Sequence, residues 1–114
     1  MTIRTIQELL DAHVLFGEEL LDQDAEFVFS SDMMSDVLAY AKEQSILVTG
    51  LCNPQVDRTA EMLDIVCIIF VRGKSPDEPI LRLAREKNIV ILATTHHMFT
   101  TCGILYSNGL RGGA

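Results

Sequence analysis

Residues 65–71 read Ile-Val-Cys-Ile-Ile-Phe-Val, seven in succession without one polar side chain. The run is far below the ~20 residues needed to cross a bilayer. It is rich in β-branched residues, and such a strand can stay apolar throughout only if both of its faces are covered. That requires a central strand between two layers of helices, which predicts slow amide exchange there. Most of the remaining chain has to supply those helices.

The flanking segments repeat one pattern of strand, loop and helix. Residues 46–49 form a short apolar strand ending at Gly50. Asn53-Pro54 then supplies a helix cap with proline at the first helical position, where its missing N–H costs nothing. After the central run, Ser75-Pro76-Asp77-Glu78 combines cap, proline and capping-box glutamate. Ile80, Leu83 and Ala84 face inward, and Asn88 supplies a left-handed stop. Residues 89–93 are the next buried strand, and Thr94 or Thr95 caps a last helix on which Phe99, Cys102 and Tyr106 align. Upstream, Thr5 and Glu8 form a capping box for a helix over 6–12. Residues 14–16 and 25–30 read as strands near a sheet edge, and residues 17–24 as an acidic loop. A helix over 32–42 turns Met34, Val37, Leu38 and Ala41 to its own core.

Three strand–helix units in succession imply a parallel sheet. The predicted fold is a three-layer α/β domain with a mainly parallel sheet and an N-terminal edge strand. It spans residues 1–107, and the glycine-rich residues 108–114 read as a flexible tail.

Composition narrows function by exclusion. The 114 residues carry 9 basic and 16 acidic side chains, a net charge of −7. A nucleic-acid partner calls for basic surface that this chain lacks, and anionic membranes are disfavoured by the same sign. Three cysteines without paired spacing, and a first stretch without a secretory pattern, read as a reduced cytoplasmic protein.

The residues LFGEELLD at 15–22, SDMMSDVL at 31–38, LVTG at 47–50, PDEPI at 76–80 and ILATTHHMFTT at 91–101 resemble the DRTGG domain. The likeness runs over roughly residues 5–107. Members of that family occur fused to CBS domains in regulated pyrophosphatases, in phosphotransacetylases, or alone, and their fold is similar to the N-terminal domain of HPr kinase/phosphorylase. The resemblance implies a regulatory or assembly module with no established catalysis.

Candidate chemistry is sparse. Gly73-Lys74-Ser75 sits between strand and helix like the end of a phosphate-binding loop, but the required upstream glycine is Ile68 in mid-strand. His96-His97 lacks metal-ligand spacing, and Cys67 reads as a core residue. Neither a catalytic triad nor paired catalytic carboxylates stand out, so no catalytic residue, metal or cofactor is assigned. One constellation remains at the carboxyl ends of the parallel strands, where ligands of such folds usually bind. It collects Thr49, Gly50 and Asn53, then Arg72 and Gly73, then Thr94, Thr95 and His96. Helix N-termini, hydroxyls and one arginine suit a phosphate or carboxylate, whereas caps and turns alone would use the same residues.

The preferred reading is a non-enzymatic regulatory module that self-associates and docks to a partner, a metabolic enzyme. The alternative is a sensor binding a nucleotide or phosphate at the strand-end edge. Met33 and Tyr40, seven residues apart, share a helix face that the core does not need. Two-fold pairing of that helix would bury both and make a homodimer, unless the loop 17–24 covers them.

Overall fold

The computed structural model describes residues 1–113. Its six strands are β1 (His13–Phe16), β2 (Phe27–Ser30), β3 (Ile46–Thr49), β4 (Cys67–Phe70), β5 (Val90–Ala93) and β6 (Arg111–Gly112). They form one sheet in the order β1-β5-β4-β3-β2-β6. Every neighbouring pair is parallel except β1–β5, so the N-terminal strand lies at one margin, as the sequence implies, and pairs there antiparallel.

The helices are α1 (Ile3–Leu10), α2 (Met34–Tyr40), α3 (Pro54–Met62), α4 (Glu78–Lys87) and α5 (Met98–Ser107). The apolar run places β4 between β3 and β5, with Leu47, Ile68 and Ile91 in register across the three. Successive strand residues point to opposite faces. Ile46, Val48, Cys67, Ile69, Val90 and Leu92 therefore meet Ile3, Ile6 and Leu10 of α1 and Leu105 of α5. Leu47, Ile68, Phe70 and Ile91 meet Met34, Val37, Val56, Ala60, Ile80 and Ala84 from α2, α3 and α4. Burying a side chain such as Ile69 completely contributes about 1.5–3 kcal/mol.

Local chemistry sets most helix ends. Asn53 caps α3 by accepting the Gln55 N–H at 2.9 Å, with Pro54 at the first position. Asn88 ends α4 in the left-handed conformation expected of it. Other boundaries differ from the sequence reading. Thr2, not Thr5, caps α1, and Asp77 rather than Ser75 precedes α4. The last helix is preceded by His97, so Thr94 and Thr95 lie in the loop before it. The aligned Phe99 and Tyr106 face solvent at 89% and 65% exposure, because the buried side of α5 is Thr101 and Leu105. Leu38, expected in the core, is half exposed.

Residues 108–113 also depart from the expected loose tail, while Ala114 lies outside the described residues. Leu110 is buried, the Arg111 N–H donates to the Glu26 carbonyl, and Arg111–Gly112 pair in parallel with Phe27–Val28. The Arg111 guanidinium lies 4.7 Å from the Tyr106 ring centroid. An apolar anchor and a backbone ladder thus hold a segment that its glycines alone would leave loose.

A candidate site at the strand ends

Beyond β4 the backbone turns through two left-handed residues, Arg72 (φ 60°) and Gly73 (φ 68°). Glycine adopts this conformation freely, whereas arginine does so at a cost. Two hydrogen bonds hold the turn: Arg72 N–H to the His96 carbonyl at 2.8 Å and Gly73 N–H to the Thr94 carbonyl at 2.9 Å. The loops after β4 and β5 are thereby locked together, and the Arg72 side chain lies across Gly50 at the end of β3. A Cβ at Gly50 would meet the Arg72 guanidinium, so any larger residue there would have to push that side chain aside.

At the centre stands Asp32, in the turn between β2 and α2. Its Oδ1 accepts from the Gly50 N–H at 2.7 Å and from the Thr49 hydroxyl at 3.0 Å. Its Oδ2 lies 3.8 Å from Arg72 Nη1. Thr49 in turn accepts the Leu51 N–H at 3.1 Å. A backbone N–H, a hydroxyl and a guanidinium therefore converge on one carboxylate, the donor set that suits a carboxylate or phosphate oxygen. In the sequence Asp32 stands out only as the start of the helix over 32–42. Its role depends on β2 lying beside β3, which no local pattern carries.

The expected strand-end residues divide into three groups. Thr49, Gly50 and Arg72 meet at Asp32. Gly73, Thr94 and His96 are joined by loop bonding, and the Thr94 hydroxyl donates to the Leu10 carbonyl at 3.2 Å while accepting the His96 N–H at 3.3 Å. Asn53 is occupied in capping α3, and Thr95 is exposed. The loop N–H groups of Gly50, Arg72 and Gly73 are all satisfied from within the chain, not held open for a ligand.

Burial raises the pKa of Cys52, against the lowering influence of nearby Lys74 and Arg72, and burial raises Cys67 further. Both are therefore thiols at neutral pH, poor nucleophiles. Desolvation, reinforced by Asp77, raises the pKa of Asp57 on α3, and its Oδ1 is buried without a hydrogen-bond partner. Among the described residues, no group of three or more histidine, cysteine, aspartate or glutamate side chains is placed to share a metal ion. Within the same residues no helix is long and apolar enough to cross a membrane.

Beside Asp32 a cleft of about 530 Å³ opens between α2 and α3, lined by Met33, Leu38, Arg58 and Met62. The loop 17–24 does not cover this face, since Leu20 and Leu21 pack into the core on the opposite side of the sheet. Met33 and Tyr40 are left 59% and 63% exposed.

Comparison with solved structures finds the fold again in the crystal structure of the CBS and DRTGG domains of the regulatory region of Clostridium perfringens pyrophosphatase, complexed with its activator diadenosine tetraphosphate. The TM-score is 0.75 at 22% identity, covering 91% of this chain and 45% of that one. This chain thus spans under half the length of that neighbour. No curated protein matches. The family model described as the DRTGG domain matches residues 5–107, which takes in β1 through α5 and every residue gathered at Asp32. The chain belongs to the DRTGG domain family.

Proposed function

We propose that this domain is a non-enzymatic regulatory module that self-associates through the α2–α3 face and docks to a partner enzyme. The observation that carries the reading is the group of large apolar side chains left in water there: Met33, Leu38, Tyr40 and Met62. Met and Tyr are enriched at the cores of protein interfaces. Two-fold pairing of α2 buries Met33 and Tyr40 of both copies. The satisfied strand-end donors support contact rather than catalysis as the mode of action, and the regulatory neighbour supports the same class. Sedimentation is expected to give roughly twice the monomer mass of 12.7 kDa. The double variant Met33→Lys, Tyr40→Glu is expected to be a folded monomer. A native chain that stays monomeric at micromolar concentrations refutes the pairing.

A second reading has its own support. The regulatory region of the pyrophosphatase neighbour is complexed with diadenosine tetraphosphate, and this chain carries an arginine at its own strand-end edge. On that reading the domain senses a nucleotide or phosphate, with Arg72 supplying the charge. Adenine nucleotides or phosphate should then raise the melting temperature of the native chain, and Arg72→Ala should abolish the rise. A panel without any shift at millimolar concentration removes this reading.

A further inference from the structure

We propose that Asp32 is an internal stand-in for an anionic ligand, and that a phosphate group binds by displacing it and so releases the start of α2. The proposal rests on the sensing reading above and concerns the regulation of that same site.

Three groups converge on the Asp32 carboxylate: the Gly50 N–H, the Thr49 hydroxyl and the Arg72 guanidinium. They are the groups that a phosphate would need. They cannot serve an added anion while Asp32 holds them, because two anions on one arginine repel each other. The two ends of the contact differ in their freedom. Gly50 and Thr49 are buried, so their donors need an acceptor at all times. The Asp32 side chain is 44% exposed and can turn into water at little desolvation cost. Asp32 therefore leaves readily only when another anion takes its place. That makes two states of one site, and a ligand shifts them by its differential affinity.

The exchange reaches the α2–α3 face through the backbone. Asp32 lies between Ser31, whose N–H is held by the Val48 carbonyl at 3.1 Å, and Met33, whose N–H is held by the Ser31 hydroxyl at 2.9 Å. Met33 precedes α2 and makes no side-chain cap, though its carbonyl accepts from Asp36 and Val37. The Asp32 carboxylate is thus a side-chain tie between the start of α2 and β3. Its departure loosens Met33, one of the side chains that pair with a second copy.

The test is an amide-resolved NMR titration of the full chain with inorganic phosphate and, separately, with ATP, alongside calorimetry of Asp32→Asn. Displacement predicts that the Gly50 and Met33 amides shift together in the native chain. It also predicts that Asp32→Asn binds at least about tenfold more tightly, because the native affinity is reduced by the fraction of sites that Asp32 occupies. Response to inorganic phosphate assigns recognition to the phosphate group alone, and response to ATP only assigns it to a nucleotide. If binding needs Arg72 but leaves the Gly50 amide unmoved, or Asp32→Asn binds no more tightly, displacement is overturned while sensing stands. A shift at Gly50 without one at Met33 overturns the link to α2. If neither the native chain nor Asp32→Asn binds either probe, sensing and displacement fall together. Should Asp32→Asn fail to fold, the native Gly50 and Met33 shifts decide the matter alone.

Discussion

The helices α4 and α5 each have ten residues and follow adjacent parallel strands, but they finish their outer faces differently. On α4, Ile80 and Ala84 are buried and the outer side carries Glu78, Arg82, Arg85 and Lys87, with Arg85 paired to Glu78. On α5 there is no charged residue at all. Thr101 and Leu105 are buried, while Phe99, Gly103 and Tyr106 lie outside along a groove of about 400 Å³ beside Val28 and Arg111. The polar pattern of α4 states which side faces the sheet. The sequence of α5 leaves that to tertiary packing, so apolarity alone is a poor guide to burial.

This contrast can be broken first on the inner faces. Ile80→Ala and Leu105→Ala should each cost about 2–5 kcal/mol in denaturant unfolding, as large-to-small changes at fully buried sites do. A small loss for Leu105→Ala would mean that α5 is not anchored as described. A smaller effect, of opposite sign, belongs to the outer face of α5. A methyl group at Gly103 meets nothing within 4 Å, so Gly103→Ala should stabilise by up to about 1 kcal/mol through helix propensity. Destabilisation at Gly103 would show that the face is covered in solution. The smallest effect is electrostatic and confined to α4. The hydrogen bond from Arg85 holds the Glu78 carboxyl below its ordinary pKa. The folded-state value is the lower one, so its contribution is fully present above the ordinary glutamate range and is lost as pH falls through the depressed value. Arg85→Ala should flatten that acid dependence in melting curves and barely change stability at neutral pH; an unchanged acid limb would discount the pair.

The same contrast explains what the sequence could disclose. The 65–71 run and its neighbours predicted the central strands because an uninterrupted apolar stretch has few places to go. Asn53-Pro54 and Asn88 predicted helix ends because capping is local. The exposure of Phe99 and Tyr106 was hidden, since α5 is apolar on more than one side and periodicity cannot choose among them. β6 was hidden because two residues have no period, and its pairing depends on the Leu110 anchor. Of the cluster at Asp32, Thr49, Gly50 and Arg72 were legible in the sequence as residues at the ends of parallel strands. Asp32 was not, because 17 residues separate it from Thr49 and only the β2–β3 pairing brings them together.

The antiparallel margin has a consequence in time. His13 of β1 pairs with Ala93 of β5, 80 residues further along the chain. At 5–20 residues per second, a ribosome needs roughly 4–16 s to make that intervening stretch. Through that interval Val14 and Phe16, half-buried in the finished domain, have no sheet to join. The first strand made is among the last to find its place, and long-range pairing of this kind slows folding. Val14 and Phe16, beside the acidic Glu18, Glu19 and Asp22, therefore wait unpaired until β5 arrives.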